Sequence, residues 1–237
     1  MTQRLVRTVS TRPAVQRAPP AILALGGLTA VALSFNLAEN NGFQKIQDVF
    51  KLPIACCIQD VGGIEPKTGI SFPYMVDGLL YVGSGVRVKY GFVKVYAVGA
   101  YVDKSDVADV IGKGVEEISE KICDPNTPKT IRIVMNRGLS VDKYMAAIME
   151  ALEPRMEGVD LDKLDDFKKM NPPGDLKEGS EMIMTIRGDT MTYRSSEGGM
   201  GIVKSAQFTK ALADVYFGKD PVSPALKTSV AEGVNKL

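Results

Sequence analysis

The chain reads as an α+β protein, a largely antiparallel sheet covered by helices on one face. Three observations carry that reading. First, Phe72 to Asp103 (FPYMVDGLLYVGSGVRVKYGFVKVYAVGAYVD) is dense in Val and Tyr and has no proline after Pro73, the composition of a β-hairpin. Second, Glu181–Arg187 (EMIMTIR) and Thr190–Arg194 (TMTYR) are strand-forming runs joined by Gly188-Asp189, a second hairpin signal. Third, the stretches between and after these hairpins space their apolar residues by three and four, the helical period. The predicted order is strands, helix, strand, helices, hairpin, helices, with no internal repeat.

The N-terminal part predicts appendages rather than fold. Residues 1–20 carry Arg4, Arg7, Arg12 and Arg17, several hydroxyls and no acid, which is the composition of an organellar transit peptide. Residues 21–37 (AILALGGLTAVALSFNL) form an apolar run near the lower length limit for crossing a bilayer, about 20 residues. It reads as an inner-membrane anchor, a signal-type apolar region or part of a cleaved presequence, and the anchor is taken forward. Together these segments place the protein in an organelle, the mitochondrial inner membrane ahead of the plastid. Residues 38–70 read as a linker, because Asn40-Asn41-Gly42, Gly62-Gly63 and Pro66-x-x-Gly69 are loop signals. The domain is expected over 71–237.

Within it, Ile70–Pro73 leads to a strand ending at the turn signal Asp77-Gly78, and Leu79–Val82 begins the next. Val107, Val110, Ile111, Val115 and Ile118 predict a helix that Asp124-Pro125-Asn126-Thr127-Pro128 breaks. Lys129–Asn136 (KTIRIVMN) is a strand. Ser140 is placed to cap a helix whose face is Tyr144, Ile148, Ala151 and Leu152, with Pro154 at its end. Residues 158–177 alternate acid and base around Leu161, Leu164 and Phe167, a solvated amphipathic helix. Gly198–Gly201 reads as a turn, Gln207–Phe217 as a helix closed by Gly218, and Ala225–Leu237 as the last helix, capped by Pro221-Val222-Ser223-Pro224.

Composition excludes several chemistries. The 237 residues include no histidine, which removes Ser-His-Asp and Cys-His nucleophile pairs and imidazole-based zinc sites. Cys56, Cys57 and Cys123 are odd in number and form no C-x-x-C, so they read as reduced thiols. Net charge is +1, and four arginines precede the first acid, so the remainder carries −3. Such a body does not match nucleic acid. No cofactor or metal is expected.

The central hairpin holds the candidate site. With Tyr90-Gly91 as a two-residue turn, Val93 lies opposite Val88, Lys94 opposite Arg87 and Tyr96 opposite Gly85. Arg87 and Tyr96 then share a face as diagonal neighbours roughly 7–8 Å apart, a gap suited to gripping one small anion. Val86, Val88, Val93, Val95 and Ala97 would form the opposite, apolar face. The competing readings are an Arg87 paired with Asp77 or Asp103, and a Tyr96 that only packs across strands.

The pattern G-x-G-x-R followed by V-Y-A-x-G-x-Y resembles the chalcone isomerase-like superfamily. The resemblance extends to Arg132-Ile133-Val134-Met135, to the helix ending Leu152-Glu153-Pro154-Arg155, and to G-I-V-K-S with F-T-K-A-L-A-D-V-Y-F-G-K-D-P-V-S-P-A-L-K. Asp220-Pro221-Val222-Ser223-Pro224 is its most specific piece. It implies a curved antiparallel sheet packed by helices, with a cleft between them. It also implies a substrate-orienting arginine, which Arg87 matches. The isomerases follow this with a threonine, where this chain has Tyr96, and with Tyr-x-x-Lys-x-x-x-Asn on a helix. Here Tyr144 is followed by Ala147 and Ala151, so the polar set for isomerisation is incomplete. Arginine plus tyrosine is similar to the fatty-acid-binding branch, in which both hold a carboxylate while the acyl chain lies in an apolar cleft.

The expectation is a non-catalytic binder of a fatty acid or similar amphipathic carboxylate. Its site is expected at Arg87, Tyr96, Tyr144, Met145, Ile148 and Met149, the methionines chosen because they adapt to a flexible chain. A chalcone–flavanone isomerase without cofactor, and a membrane-tethered protein with a vestigial cleft, stay open as alternatives. Membrane association would run through residues 21–37.

Overall fold

The computed structural model describes residues 60–171 and 173–237. The expected transit peptide, the apolar run 21–37, Cys56 and Cys57 lie outside the described residues. Eleven strands follow in the described chain: β1 (Val61–Ile64), β2 (Ser71–Pro73), β3 (Met75–Val76), β4 (Leu79–Lys89), β5 (Val93–Val102), β6 (Lys129–Met135), β7 (Leu139–Ser140), β8 (Asp175–Leu176), β9 (Glu181–Arg187), β10 (Thr190–Ser195) and β11 (Met200–Lys204). Five α-helices accompany them: α1 (Val115–Cys123), α2 (Val141–Leu152), α3 (Asp162–Lys169), α4 (Ala206–Phe217) and α5 (Pro224–Val234). Seven strands form one antiparallel sheet in the order β11-β10-β9-β6-β5-β4-β3. This is the α+β arrangement the two hairpins and helical periods predict.

The principal core lies between the sheet and its helices. Val98, Ala100, Ile131, Ile133, Met182 and Met184 pack there against Ile118, Ile148, Leu152, Phe208, Leu212 and Val230. The other face buries a smaller cluster, Phe72, Leu79, Ala97, Tyr101 and Val134. Phe72 reaches it from β2, its ring lying where a Cβ on Gly99 would stand 2.3 Å from Phe72 Cδ1.

Local differences from the predicted elements have local causes. The linker expected over 38–70 contains β1, which pairs with β2. Gly62 and Gly63 read as a loop signal, but they are small because Tyr81 packs on them: a Cβ on Gly63 would lie 2.5 Å from Tyr81 Cε1. The helix expected from Val107 to Ile118 is a 3₁₀ turn, Ser105–Val110, followed by α1. Between them Gly112 adopts φ +83°, which ends the first turn. The amphipathic helix expected between residue 158 and Pro172 is the eight-residue α3, and Asp175–Leu176 beyond it form β8. Residues 200–204, read as following a glycine turn, are edge strand β11, paired to β10 despite its single buried residue, Val203. Ser140 precedes α2 without a side-chain cap bond, whereas Ser205 and Ser223 accept from the backbone N–H of Phe208 and Leu226.

The central register also differs. The hairpin loop is three residues, Tyr90-Gly91-Phe92, with Lys89 opposite Val93 and Val88 opposite Lys94. The ladder then shifts, so that Arg87 faces Tyr96 directly and Val95 is the extra residue. A bulge of this kind re-aims side chains. It turns Val93 and Val95 to the side of Tyr96, away from the face they were expected to share with Val86 and Ala97.

Candidate functional site

One end of the β4–β5 hairpin, the short β7–β8 ribbon and one face of α2 enclose a cleft of about 970 Å³. Its inner wall is Arg87, Val93, Val95, Tyr96, Leu139, Tyr144, Ala147 and Leu176, partly or fully buried. Its rim is Lys89, Tyr90, Arg137, Lys143, Glu150, Asp175 and Lys177, all exposed. The volume is at the upper end of the range for small-molecule sites, about 300–1,000 Å³.

The β4–β5 pairing sets Arg87 beside Tyr96. Arg87 Nη1 donates to the Tyr96 hydroxyl at 3.1 Å, and Nη2 reaches the Ala147 carbonyl of α2 at 3.5 Å. The guanidinium also lies 5.6 Å from the Tyr96 ring centre. It forms no ion pair among the described residues. Asp77 is held instead by Arg194 at 2.7 Å, and Asp103 accepts from Ser105. The pairing of Arg87 with either acid, considered from the sequence, is therefore absent. Burial works against the arginine's charge, but the phenol oxygens of Tyr96, Tyr216 and Tyr144 favour it, and its pKa is held above the ordinary arginine value. Here is a permanent cation with unused donors, facing a largely apolar hollow.

Two further phenols converge on it. Tyr144 packs edge-to-face on Tyr96, ring centres 6.3 Å apart, and Tyr216 of α4 lies beside both Arg87 and Tyr96. The hydroxyls of Tyr144 and Tyr216 are buried without a hydrogen-bond partner. Burial raises both pKa values well above the usual phenol value, so at neutral pH both remain protonated donors. Both hydroxyls are closed off from the cleft, which Tyr144 lines with its ring side and Tyr216 backs from behind Tyr96.

The expected site residues thus separate. Arg87, Tyr96 and Tyr144 line this cleft. Met145 and Met149 line a different hollow of about 390 Å³ with Val141, Asp142, Ala146, Lys168, Asn171 and Pro173. Ile148 lies in the principal core between sheet and helices. The α2 face on the cleft is Lys143, Tyr144, Ala146, Ala147 and Glu150, rotated from the one drawn through the methionines. Sequence reasoning missed Tyr216, Leu139, Leu176 and the basic rim. A tyrosine on an otherwise apolar helical face was the available signal for Tyr216. The β7–β8 residues carried none, since two-residue strands leave no period to read.

The Gly-Ser-Gly stretch before Arg87 serves packing rather than the ligand. A Cβ on Gly85 would fall 2.3 Å from Leu226 N, and one on Gly83 would fall 2.7 Å from Val230 N. Ser223, inside the most specific motif of the closing segment, donates to the Val86 carbonyl at 2.9 Å. Arg155 donates to the Asp214 carboxylate and to the Ala151 and Asp220 carbonyls, tying the end of α2 to the loop after α4. The glycines and Ser223 hold α5 against β4 and so fix the wall that carries Arg87, while Arg155 joins the end of α2 to α4 and the loop after it.

Fold and site together define an antiparallel sheet packed by helices, with a largely apolar cleft that carries one half-buried guanidinium on its wall. The chalcone isomerase-like family model matches residues 59–230, and the chain belongs to that family. Among its relatives, Fatty-acid-binding protein 1 of Arabidopsis thaliana is 27% identical over 195 residues, covering 69% of this chain and 67% of that protein. Chalcone–flavanone isomerase of Nicotiana tabacum is 24% identical over 204 residues, covering 73% of this chain and 82% of the isomerase. The crystal structure of an Arabidopsis thaliana fatty-acid binding protein superposes with a TM-score of 0.63 at 23% identity, covering 73% of this chain and 97% of that one. The match begins near β1, twelve residues before the predicted domain start at 71.

Proposed function

We propose that this protein binds a fatty acid or similar amphipathic carboxylate without transforming it, the carboxylate held at Arg87 and Tyr96 and the chain lying along Val93, Val95, Leu139, Ala147 and Leu176. The observation that carries this reading is Arg87, a half-buried guanidinium with no carboxylate partner among the described residues, facing an apolar hollow. Fatty-acid-binding proteins among the relatives support it. Ala147 and Ala151 stand where the isomerases carry lysine and asparagine, so only Tyr144 of that series is present. No cofactor is required.

Isothermal titration with saturated fatty acids tests it. Charge-assisted hydrogen bonds contribute about 1.5–3 kcal/mol, so Arg87→Ala is expected to weaken binding ten- to a hundredfold. Tyr96→Phe, which loses one neutral donor, is expected to weaken it about fivefold. Fatty acids that bind equally to Arg87→Ala, or turnover of a chalcone by the wild type, would overturn the reading. Placement in an organelle, with the mitochondrial inner membrane ahead of the plastid and residues 21–37 as anchor, is also proposed. It is supported by the acid-free arginine-rich start and the apolar run that follows. Cell fractionation with sequencing of the mature N-terminus tests it: a mature chain that starts after residue 37 removes the anchor.

A further inference from the structure

The tip of the β4–β5 hairpin is the most exposed aromatic feature among the described residues. Tyr90 is 77% and Phe92 80% exposed, side by side in a three-residue loop. Tyr90 holds φ +54°, a left-handed conformation that glycine or asparagine adopts at less cost than a tyrosine. Its ring gains no packing in return beyond the Lys89 ammonium, 5.6 Å from its centre. Lys89 adjoins the rings and with Tyr90 lines the cleft mouth, whereas the Lys94 ammonium on the other face of the hairpin donates to the Lys67 carbonyl. Around that mouth Arg137, Lys143 and Lys177 add positive charge, against the acids Glu150 and Asp175. Scattered single apolar residues are ordinary surface. Two adjoining aromatic rings on a convex loop, beside a basic rim and continuous with a binding cleft, are not scattered.

We propose that this tip docks on an anionic lipid bilayer, Tyr90 and Phe92 entering the headgroup region while Lys89 and the basic rim of Arg137, Lys143 and Lys177 face the lipid phosphates. Aromatic rings with an amphipathic neighbourhood favour the membrane–water interface, and flanking lysines add attraction to an anionic surface. A protein partner fits less well, since a specific interface takes about 800 Å² per side and this protruding loop offers two rings. The consequence is a cleft whose mouth opens at the bilayer surface, where an amphipathic acid partitions. The docking rests on the tip and rim themselves and not on the identity of the cleft's ligand.

The chain has no tryptophan, which makes the test direct. In the full-length protein, Phe92→Trp adds its only indole at the tip, and Ile202→Trp adds one on the exposed face of β11 at the far edge of the sheet. Both are mixed, without any fatty acid, with vesicles of phosphatidylcholine alone or with phosphatidylglycerol added. The expected result is a blue-shifted emission, quenched by brominated acyl chains, for Phe92→Trp on the anionic vesicles, with Ile202→Trp unshifted. Adding Lys89→Ser and Lys143→Ser is expected to lower vesicle affinity about fivefold per charge, and raised salt to lower it further. An indole at position 92 that stays in water on anionic vesicles overturns the proposal, even if the chain sediments with them through another segment. So does an equal shift at position 202, or binding indifferent to the two lysines. Because no fatty acid is present, failure here is distinct from failure of the cleft to bind one.

Discussion

Lys129 opens β6 almost fully buried, its ammonium donating to the Asp124 carbonyl at 2.8 Å with the Cys123 thiol nearby. Burial pulls its pKa down from 10.5 to about 8. At this site the unfolded chain therefore binds more protons than the folded one between pH 8 and 10.5, and the site's contribution to stability rises with pH in that interval. Below pH 8 both states are protonated and the cost of burying the charge, about 3 kcal/mol, is fully present. Above pH 10 the buried phenols of Tyr101, Tyr144 and Tyr216, all raised by burial, reverse the trend, because the unfolded chain sheds phenol protons that the folded one keeps. Denaturant melts at pH 8 and pH 10 are expected to shift the stability gap between wild type and Lys129→Met by about 2 kcal/mol in favour of the wild type. The decline from Cys123, whose thiol burial pushes up from 9.0 to about 11, is common to both. A gap that does not change would mean that the ammonium reaches water. The composition shows a lysine at this position and no more. Its burial follows from β6 lying between β5 and β9.

At the scale of elements, the packing of α5 on β4 decides where Arg87 can be. Their backbones meet through Gly83, Gly85 and Gly233, where a Cβ on Gly233 would lie 1.6 Å from the Val82 carbonyl oxygen. None of these contacts involves the far end of a flexible side chain, so the helix must move to admit a methyl group. Gly85→Ala is expected to destabilise the fold by about 2–3 kcal/mol, read as a lowered Tm, while Gly91→Ala, strained only by its φ of +77°, costs about 1 kcal/mol. Equal effects at the two sites would contradict the close approach. The strand character of β4 and β5 was legible from Val and Tyr content, but their register was not. The loop has three residues and Val95 is bulged, and a one-residue shift exchanges faces for every side chain beyond it. The diagonal pair predicted for Arg87 and Tyr96 is a directly opposed pair as a result, and Val93 and Val95 join the cleft.

Across the whole molecule, Asp77 ties the β3–β4 turn to strands several places away. Its carboxylate accepts from Arg194 on β10 at 2.7 and 2.8 Å and from Thr185 on β9 at 2.6 Å. Thr185 in turn meets Thr130 on β6 at 2.8 Å. The hydrogen bond from Arg194 lowers the Asp77 pKa, against the effect of partial burial. A depressed carboxylate contributes stability above its unfolded pKa and loses it as pH falls through the folded one, so this tie weakens only in acid. Asp77→Asn is expected to cost about 1–2 kcal/mol at pH 7, the half-exposed Arg194 limiting the loss, and to narrow its gap from wild type as pH drops below 4. Thermal melts across pH 3 to 7 would show this, and a gap that widens in acid would contradict it. This clamp spans more than a hundred residues of sequence, and no local pattern announces it.

Taken by itself, the sequence determined that the chain is α+β, where its longer strands and most of its helices run, that histidine chemistry is absent, and that an arginine and a tyrosine sit near each other on one hairpin. Those properties reside in local periodicity, turn chemistry and composition, which neighbouring residues set among themselves. Only the tertiary structure decided that β6 pairs with both β5 and β9, that Tyr216 comes from α4 to stand beside Arg87, and that Met145 and Met149 turn to a separate hollow. The rotation of α2 about its axis and the closeness of α5 to β4 depend on side chains far apart in the chain meeting in one core. A contact between distant segments is chosen by the packing of all of them together.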